Sequence, residues 1–251
     1  MARSFTTSTD AVRNSSFPAV ASVGAIGCWV QPNWNSGTTR YYLWNFGNSG
    51  DQPSFQQYTD GNLYVGFGSR VIVASTGFVS GTWGYWLYQW NNGANTEALY
   101  NNNTLIGSSS SGIGFGTGTG YNLGNSATFA GLNPLNGQQC ELTYWSGINL
   151  TTNEIAALVT GARSTRIRSA SIALYVPMFG LQSPEPDLSG NAYAGTVTGT
   201  ALANHAPITP FTPKNVTPGY VPPASAATTT WGYDNSFPHR ASNDGVVLVP
   251  Y

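Results

Sequence analysis

The chain carries ten carboxylates in 251 residues, and only one Glu-x-Asp pair, Glu185-Pro186-Asp187. Two carboxyl groups held on either side of a glycosidic bond would give acid–base or nucleophilic chemistry on a sugar. This spacing argues against it. A proline separates the two acids and a Ser-Gly-Asn turn follows, so a central strand presenting both side chains is not expected. Glu141 stands in a strand-like run without a second acid beside it. His205 and His239 lie in Pro-rich extended segments, with no Ser-His-Asp or metal-ligand spacing around either. Both are read as surface or packing residues. Cys28 and Cys140 are far apart in sequence. Two such thiols form neither a disulfide framework nor a zinc motif, and they read as buried free cysteines.

A second kind of chemistry is recognition. Exposed aromatic rings beside Asn and Asp can hold a sugar ring, and Trp34, Tyr41, Tyr42, Trp44, Trp86 and Trp90 are the candidates. They sit in alternating runs, where about half of the side chains must face a core. Core packing or subunit contact therefore outweighs a sugar platform at these positions.

Composition narrows the partners. Charged residues are 8% of the chain, against about 25% in ordinary globular proteins. The net charge is −1, so no basic field exists to draw nucleic acid or an anionic membrane. A surface this poor in charge has little protection against self-association. That fits a chain living inside an assembly. Eight of the nine basic residues are Arg, the cation preferred in planar interface pairing. The first residues, MARSFTTSTDAVRNSS, lack the apolar core of a signal peptide. No apolar run approaches the roughly 18 residues of a membrane span.

The elements that must position these residues are short strands. AVASVGAIGCWVQP, TTRYYLWNFGN and GTWGYWLYQWNNG alternate apolar residues and end in Gly, Asn or Pro. In SFQQYTDGNLYVGFG, the Asp60-Gly61 pair between two strand-like runs predicts a hairpin, because Asp-Gly accepts the positive φ that such turns require. The glycines of 108–124 lack the strand, helix and acid of a dinucleotide loop, so a loop or edge is expected there. One convincing helix opens at 149–154, capped by a Thr, with Ile155, Ala156, Leu158 and Val159 at helical spacing and Gly161 closing it. DLSGNAYAGTVTGTA (187–201) reads as a turn and a short strand, with Gly190 or Asn191 left-handed. Residues 1–14 read as an extended arm. From His205 prolines cluster, and 205–251 reads as an extended arm that ends in the strand-like DGVVLVPY.

The order SGTWGYWLYQWNNG, ALYNNNTLIG, LNGQQCELTYWSGINLTTNEIAAL resembles the laminin-G-like or concanavalin A-like jelly-roll family over roughly 15–200. Asn101–Asn103 replaces the family's Asn-Gly, so that turn is expected to be looser. The resemblance implies an all-β sandwich of two antiparallel sheets with one short helix, occupying 15–204 between two terminal arms. The late position of IALYVPMFG and DLSGNAYAGTVTG resembles proteins of tailed bacteriophages. That implies a structural virion protein, a capsid decoration or tail component made in a host cytoplasm, touching other virion proteins and copies of itself. The alternative is a lectin-like carbohydrate-binding module for host-surface glycans. In either case Trp34, Tyr42, Trp44, Trp86 and Trp90 would supply glycan or subunit contacts. A glucanase-like hydrolase is weaker: glucanases of this fold carry Glu-x-Asp-x-x-Glu, and here no third Glu follows. Calcium is a further implication of the resemblance, with Asp51 and Asp60 as loop acids. No dense ligand run surrounds them, so no cofactor is expected.

Overall fold

The computed structural model describes residues 1–35, 39–47, 52–68, 70–74, 78–110, 118–126, 134–179, 183–207, 242–243 and 246–247. The chain divides into two compact units, Met1–Thr209 and Pro210–Tyr251. In the second unit, β16 (Ser242–Asn243) pairs with β17 (Val246–Val247). Of the Pro-rich segment, 208–241 (with His239), 244–245 and 248–251 lie outside the described residues.

The first unit is a concanavalin A-like jelly roll: two antiparallel sheets packed face to face. One runs β10 (Thr104–Ser109), β9 (Thr96–Asn101), β8 (Gly84–Asn91), β3 (Val23–Pro32), β12 (Gly137–Ser146), β1 (Ala2–Phe5), β15 (Ala201–Ala203), and β13 (Ile172–Val176) also pairs with β12. The other runs β14 (Thr196–Thr198), β2 (Ala11–Asn14), β11 (Tyr121–Leu123), β4 (Tyr41–Phe46), β5 (Pro53–Gln57), β6 (Leu63–Phe67), β7 (Arg70–Ala74).

The core forms because period-two alternation sends every second side chain between the sheets. On β8 these are Trp86, Tyr88 and Trp90, and β3 sets Cys28, Ile26 and Gly24 opposite them. Gly24 has a packing reason. A Cβ there would lie 2.7 Å from the Trp90 ring and 2.9 Å from the Tyr144 ring, where those two rings stack at 5.9 Å and 10°.

Residues 1–14 are not an arm. β1 inserts between β12 and β15, and β2 between β11 and β14, so this segment serves both sheets. Ala2, Phe5, Ala11 and Val12 are buried. Asp10 joins the two strands by accepting the Thr6 and Thr7 backbone N–H at 2.7 and 2.9 Å.

The helix α1 (Thr152–Val159) starts at a capping box: Thr151 accepts from the Glu154 N–H and Glu154 accepts from the Thr151 N–H. It buries Ile155 and Leu158. The Asn101–Asn103 turn is tighter than its sequence suggests. Thr104 pairs directly with Asn101, leaving a two-residue loop of Asn102 and Asn103, both at positive φ. Asn tolerates that region nearly as Gly does. At 187–191 it is Gly190 (φ 93) that takes the left-handed position.

Candidate functional site

Of the six aromatic residues singled out by sequence, Trp34, Tyr42, Trp44, Trp86 and Trp90 lie in the core or under other groups, none more than 7% exposed, and Tyr41 is half-buried. Trp34 stacks on Tyr41 and donates its Nε1–H to the Leu135 carbonyl at 2.6 Å. Trp44 packs against Phe46, Phe55 and Tyr88. Trp86 meets Phe55 and Phe78, and Trp90 lies between Phe67 and Tyr144. These four fill the space between the sheets and offer no open ring face. Tyr42 differs. It points to the outer side of the seven-stranded sheet, but the Arg40 guanidinium covers its ring at 4.9 Å and bonds its hydroxyl.

That outer side carries partly exposed aromatic side chains with polar groups bonded around them. Register places Tyr42, Gln56, Tyr64 and Val73 in one row across β4, β5, β6 and β7. Beyond the row is the hairpin turn. Gly61, at φ +81, closes it by donating to the Tyr58 carbonyl at 3.0 Å, and Tyr58 donates to the Asn62 carbonyl at 2.9 Å. The turn brings Tyr58 and Tyr64 edge to face, 5.4 Å between centroids. Tyr58 is 39% exposed and Tyr64 half-buried.

Polar groups frame the pair. Asp60 accepts the Tyr64 hydroxyl at 2.6 Å, the Asn62 backbone N–H at 2.9 Å and the Asn62 amide at 3.0 Å. The Tyr64 hydroxyl, and then the Asn62 N–H, hold the Asp60 carboxyl below its usual range. The same bond raises the Tyr64 phenol. Asp60 therefore stays a pure acceptor at neutral pH. Arg40 lies 4.7 Å over the Tyr58 ring and donates its Nε–H to Gln56 at 2.8 Å. The result is an exposed aromatic step with a fixed carboxylate at one side and a stacked guanidinium and an amide at the other. Such a surface can pack the C–H face of a sugar ring and bond its hydroxyls from several directions.

Sequence reasoning passed over this pair. The hairpin was legible at Asp60-Gly61, and Tyr58 and Tyr64 flank that turn. The missing step was that a turn with aromatics at both ends brings them together on one face.

The remaining candidates are placed elsewhere. Glu185 is fully buried and pairs with Arg3 at 2.6 Å, while its other oxygen accepts the Phe179 N–H at 2.7 Å. Glu141 sits at positive φ in a bulge of β12, accepts the Tyr175 hydroxyl at 2.6 Å, and faces His205 at 3.5 Å. Both acids are tied into the fold by separate partners. Cys28 and Cys140 are free and buried, and burial pushes the Cys28 thiol up to about 12 and the Cys140 thiol higher still. No group of three His, Cys, Asp or Glu clusters among the described residues. Asp51 lies outside them.

No protein-family model matches the chain, and no curated protein matches it. Solved structures do. A proposed carbohydrate-binding protein from Bacteroides ovatus superposes with a TM-score of 0.65 at 18% identity, over 83% of this chain and 62% of that one. The heptameric SAP-like pentraxin of Limulus polyphemus gives 0.51 at 16% identity, over 65% of this chain and 83% of that one. The chain thus spans less than two thirds of the Bacteroides protein. At these identities the likeness is one of fold: both confirm the jelly-roll sandwich that the strand order implied, and neither supports a bacteriophage origin.

Proposed function

We propose that this chain is a carbohydrate-binding module that holds glycan at the Tyr58–Tyr64 hairpin. The observation that carries this reading is the exposed Tyr58 ring set edge to face on Tyr64, with Asp60 and Arg40 fixed on either side of it. Its fold is shared with a Bacteroides protein proposed to bind carbohydrate, which is supporting context. The module binds without catalysis in this reading, since Glu185 and Glu141 are buried with partners of their own.

The test is retention on a broad array of neutral and acidic glycans, for the full chain and for Tyr58→Ala/Tyr64→Ala. Retention by the parent and its loss in the folded double variant support the reading. No retention on any glycan, or equal retention by the variant, rejects it.

A second reading, a structural subunit of a viral particle, rests on the charge-poor composition, 8% Asp, Glu, Lys and Arg. Sedimentation of unfractionated source material separates the two. Travel with megadalton particles supports the subunit reading, and migration as a monomer or small oligomer removes it.

A further inference from the structure

We infer that the chain has a second ligand site, an oxyanion pocket around Arg13 that takes a carboxylate or sulfate group borne by a sugar. This deepens the carbohydrate-binding reading and rests on it for the sugar, not for the anion.

The pocket lies at the opposite edge of the same sheet. β2 and β14 pair there, with Thr196 opposite Arg13. Strand alternation sends Val12 and Val197 toward the core and Arg13, Thr196 and Thr198 outward. Together with Ser15 and Ser16 they line a cavity of about 310 Å³. That is the lower end of the range for small-ligand sites, about 300–1,000 Å³, and suits one small polar group.

Its chemistry is one-sided. Arg13 is the sole charged residue of the lining, the rest being hydroxyl-bearing side chains, Asn14 and Ala194. Arg13 forms no ion pair with a described residue. Its Nε–H is held by the Asn122 side-chain oxygen at 3.3 Å, which fixes the guanidinium and leaves its two terminal nitrogens for a ligand. Asn122 is itself 1% exposed, and its amide nitrogen has no hydrogen-bond partner. A buried donor without a partner is costly, and here it sits in register beside Arg13. A planar guanidinium bonds a carboxylate or sulfate through two parallel N–H groups, and hydroxyls from β14 and from Ser15 and Ser16 just after β2 can close the remaining oxygens. The walls contain no apolar patch large enough to favour an uncharged ring.

The pocket and the hairpin share a face. Arg13 on β2 and Tyr64 on β6 are four strands apart, about 19 Å at the usual strand spacing of about 4.8 Å. An extended acidic oligosaccharide could therefore touch both, with its charged substituent at Arg13.

The experiment follows the backbone amides of Ser15, Ser16, Thr196 and Thr198 by NMR in the full chain, titrated with sodium glucuronate, glucose 6-sulfate or glucose. Saturable shifts with either anion and none with glucose are expected, and the two anion arms decide between carboxylate and sulfate. Arg13→Gln should weaken the anion response about tenfold, and Arg13→Lys should recover part of it, because charge returns without the fork. Unmoved amides, a response to glucose equal to that of the anions, or an unchanged response in a folded Arg13→Gln chain would each overturn the inference. The glycan array and the titration, both run on the parent chain, separate the two readings. If anions still shift these amides while no glycan is retained by the array, the carbohydrate reading fails and the pocket stands. If glycans are retained and the anions shift nothing here, the pocket fails alone.

Discussion

The two faces of the seven-stranded sheet use the same residue type for opposite purposes. Toward the core, Trp44, Phe55 and Phe67 pack against Tyr88, Trp86 and Trp90 of the opposing sheet, and polar atoms on Tyr88 and Trp90 find partners inside the chain. The Trp90 Nε1–H, for example, donates to the Ala21 carbonyl at 2.9 Å. On the outer face, among the described residues, Tyr58 and Tyr64 pack edge to face on each other beside Arg40 and Asp60. Aromatic content alone therefore does not mark a binding surface. The informative aromatic is the one whose ring is left partly open and whose polar neighbours are held in place by one another.

The largest expected effect breaks the core half of this contrast. Trp90→Ala removes a ring stacked on Tyr144 and should cost about 3–5 kcal/mol in urea unfolding, a large part of the roughly 5–15 kcal/mol a domain usually has. The same contrast holds for ion pairs. Arg3→Ala leaves the Glu185 carboxylate buried without its cation and should cost about 3–5 kcal/mol. Arg168→Ala breaks a pair whose side chains are 51% and 21% exposed and should cost under about 1 kcal/mol. Equal losses at Arg3 and Arg168 would show that burial is not what separates the two.

A pH series sharpens the comparison further. Glu97 is buried, and burial raises its carboxyl above the usual 4.5, although the Tyr88 hydroxyl at 2.6 Å opposes this. A raised folded-state value means that the folded chain favours the protonated acid. The stabilisation is complete below the unfolded value and is lost as pH rises through the folded one. Glu97→Gln, which imitates the protonated form, should match the parent near pH 4 and exceed it in stability at pH 7. A constant difference across that range would contradict the assignment. The smallest stability effect is expected on the outer face: Tyr58→Ala should stay within about 0.5 kcal/mol while weakening glycan retention.

Local chemistry was legible in the sequence wherever one residue type decides one conformation. Asp60-Gly61 marked its hairpin, the Thr-containing run 149–154 marked the helix start, and the alternation through Trp86, Tyr88 and Trp90 marked a strand. What stayed hidden depends on partners distant in the chain. The strand Ala2–Phe5 is four residues long with one large apolar side chain, too little for periodicity to register; β12 and β15, more than 130 residues away, supply its hydrogen bonds. The site was hidden for a related reason. Alternation alone would put Tyr42 and Trp44 on the same face; the bulge between them sends them to opposite faces, and neither feature says which side is out. Only the second sheet decides that question. Asn102-Asn103 taught the reverse lesson, since Asn gave the tight turn that Gly was thought to be needed for.

The double insertion of residues 1–14 has a consequence for how the protein is made. These residues leave the ribosome before the strands that receive them: β1 has no described partner until residues 137–139 exist, and β2 none until residues 121–123 exist. Their outer partners, β15 and β14, come later still. Chain closure on this scale slows folding and leaves strand edges open for long intervals. Nascent chains halted before about residue 121 should therefore hold residues 1–14 open to proteases and chaperones. Those residues gain protection only when the sheet that receives them has been synthesised.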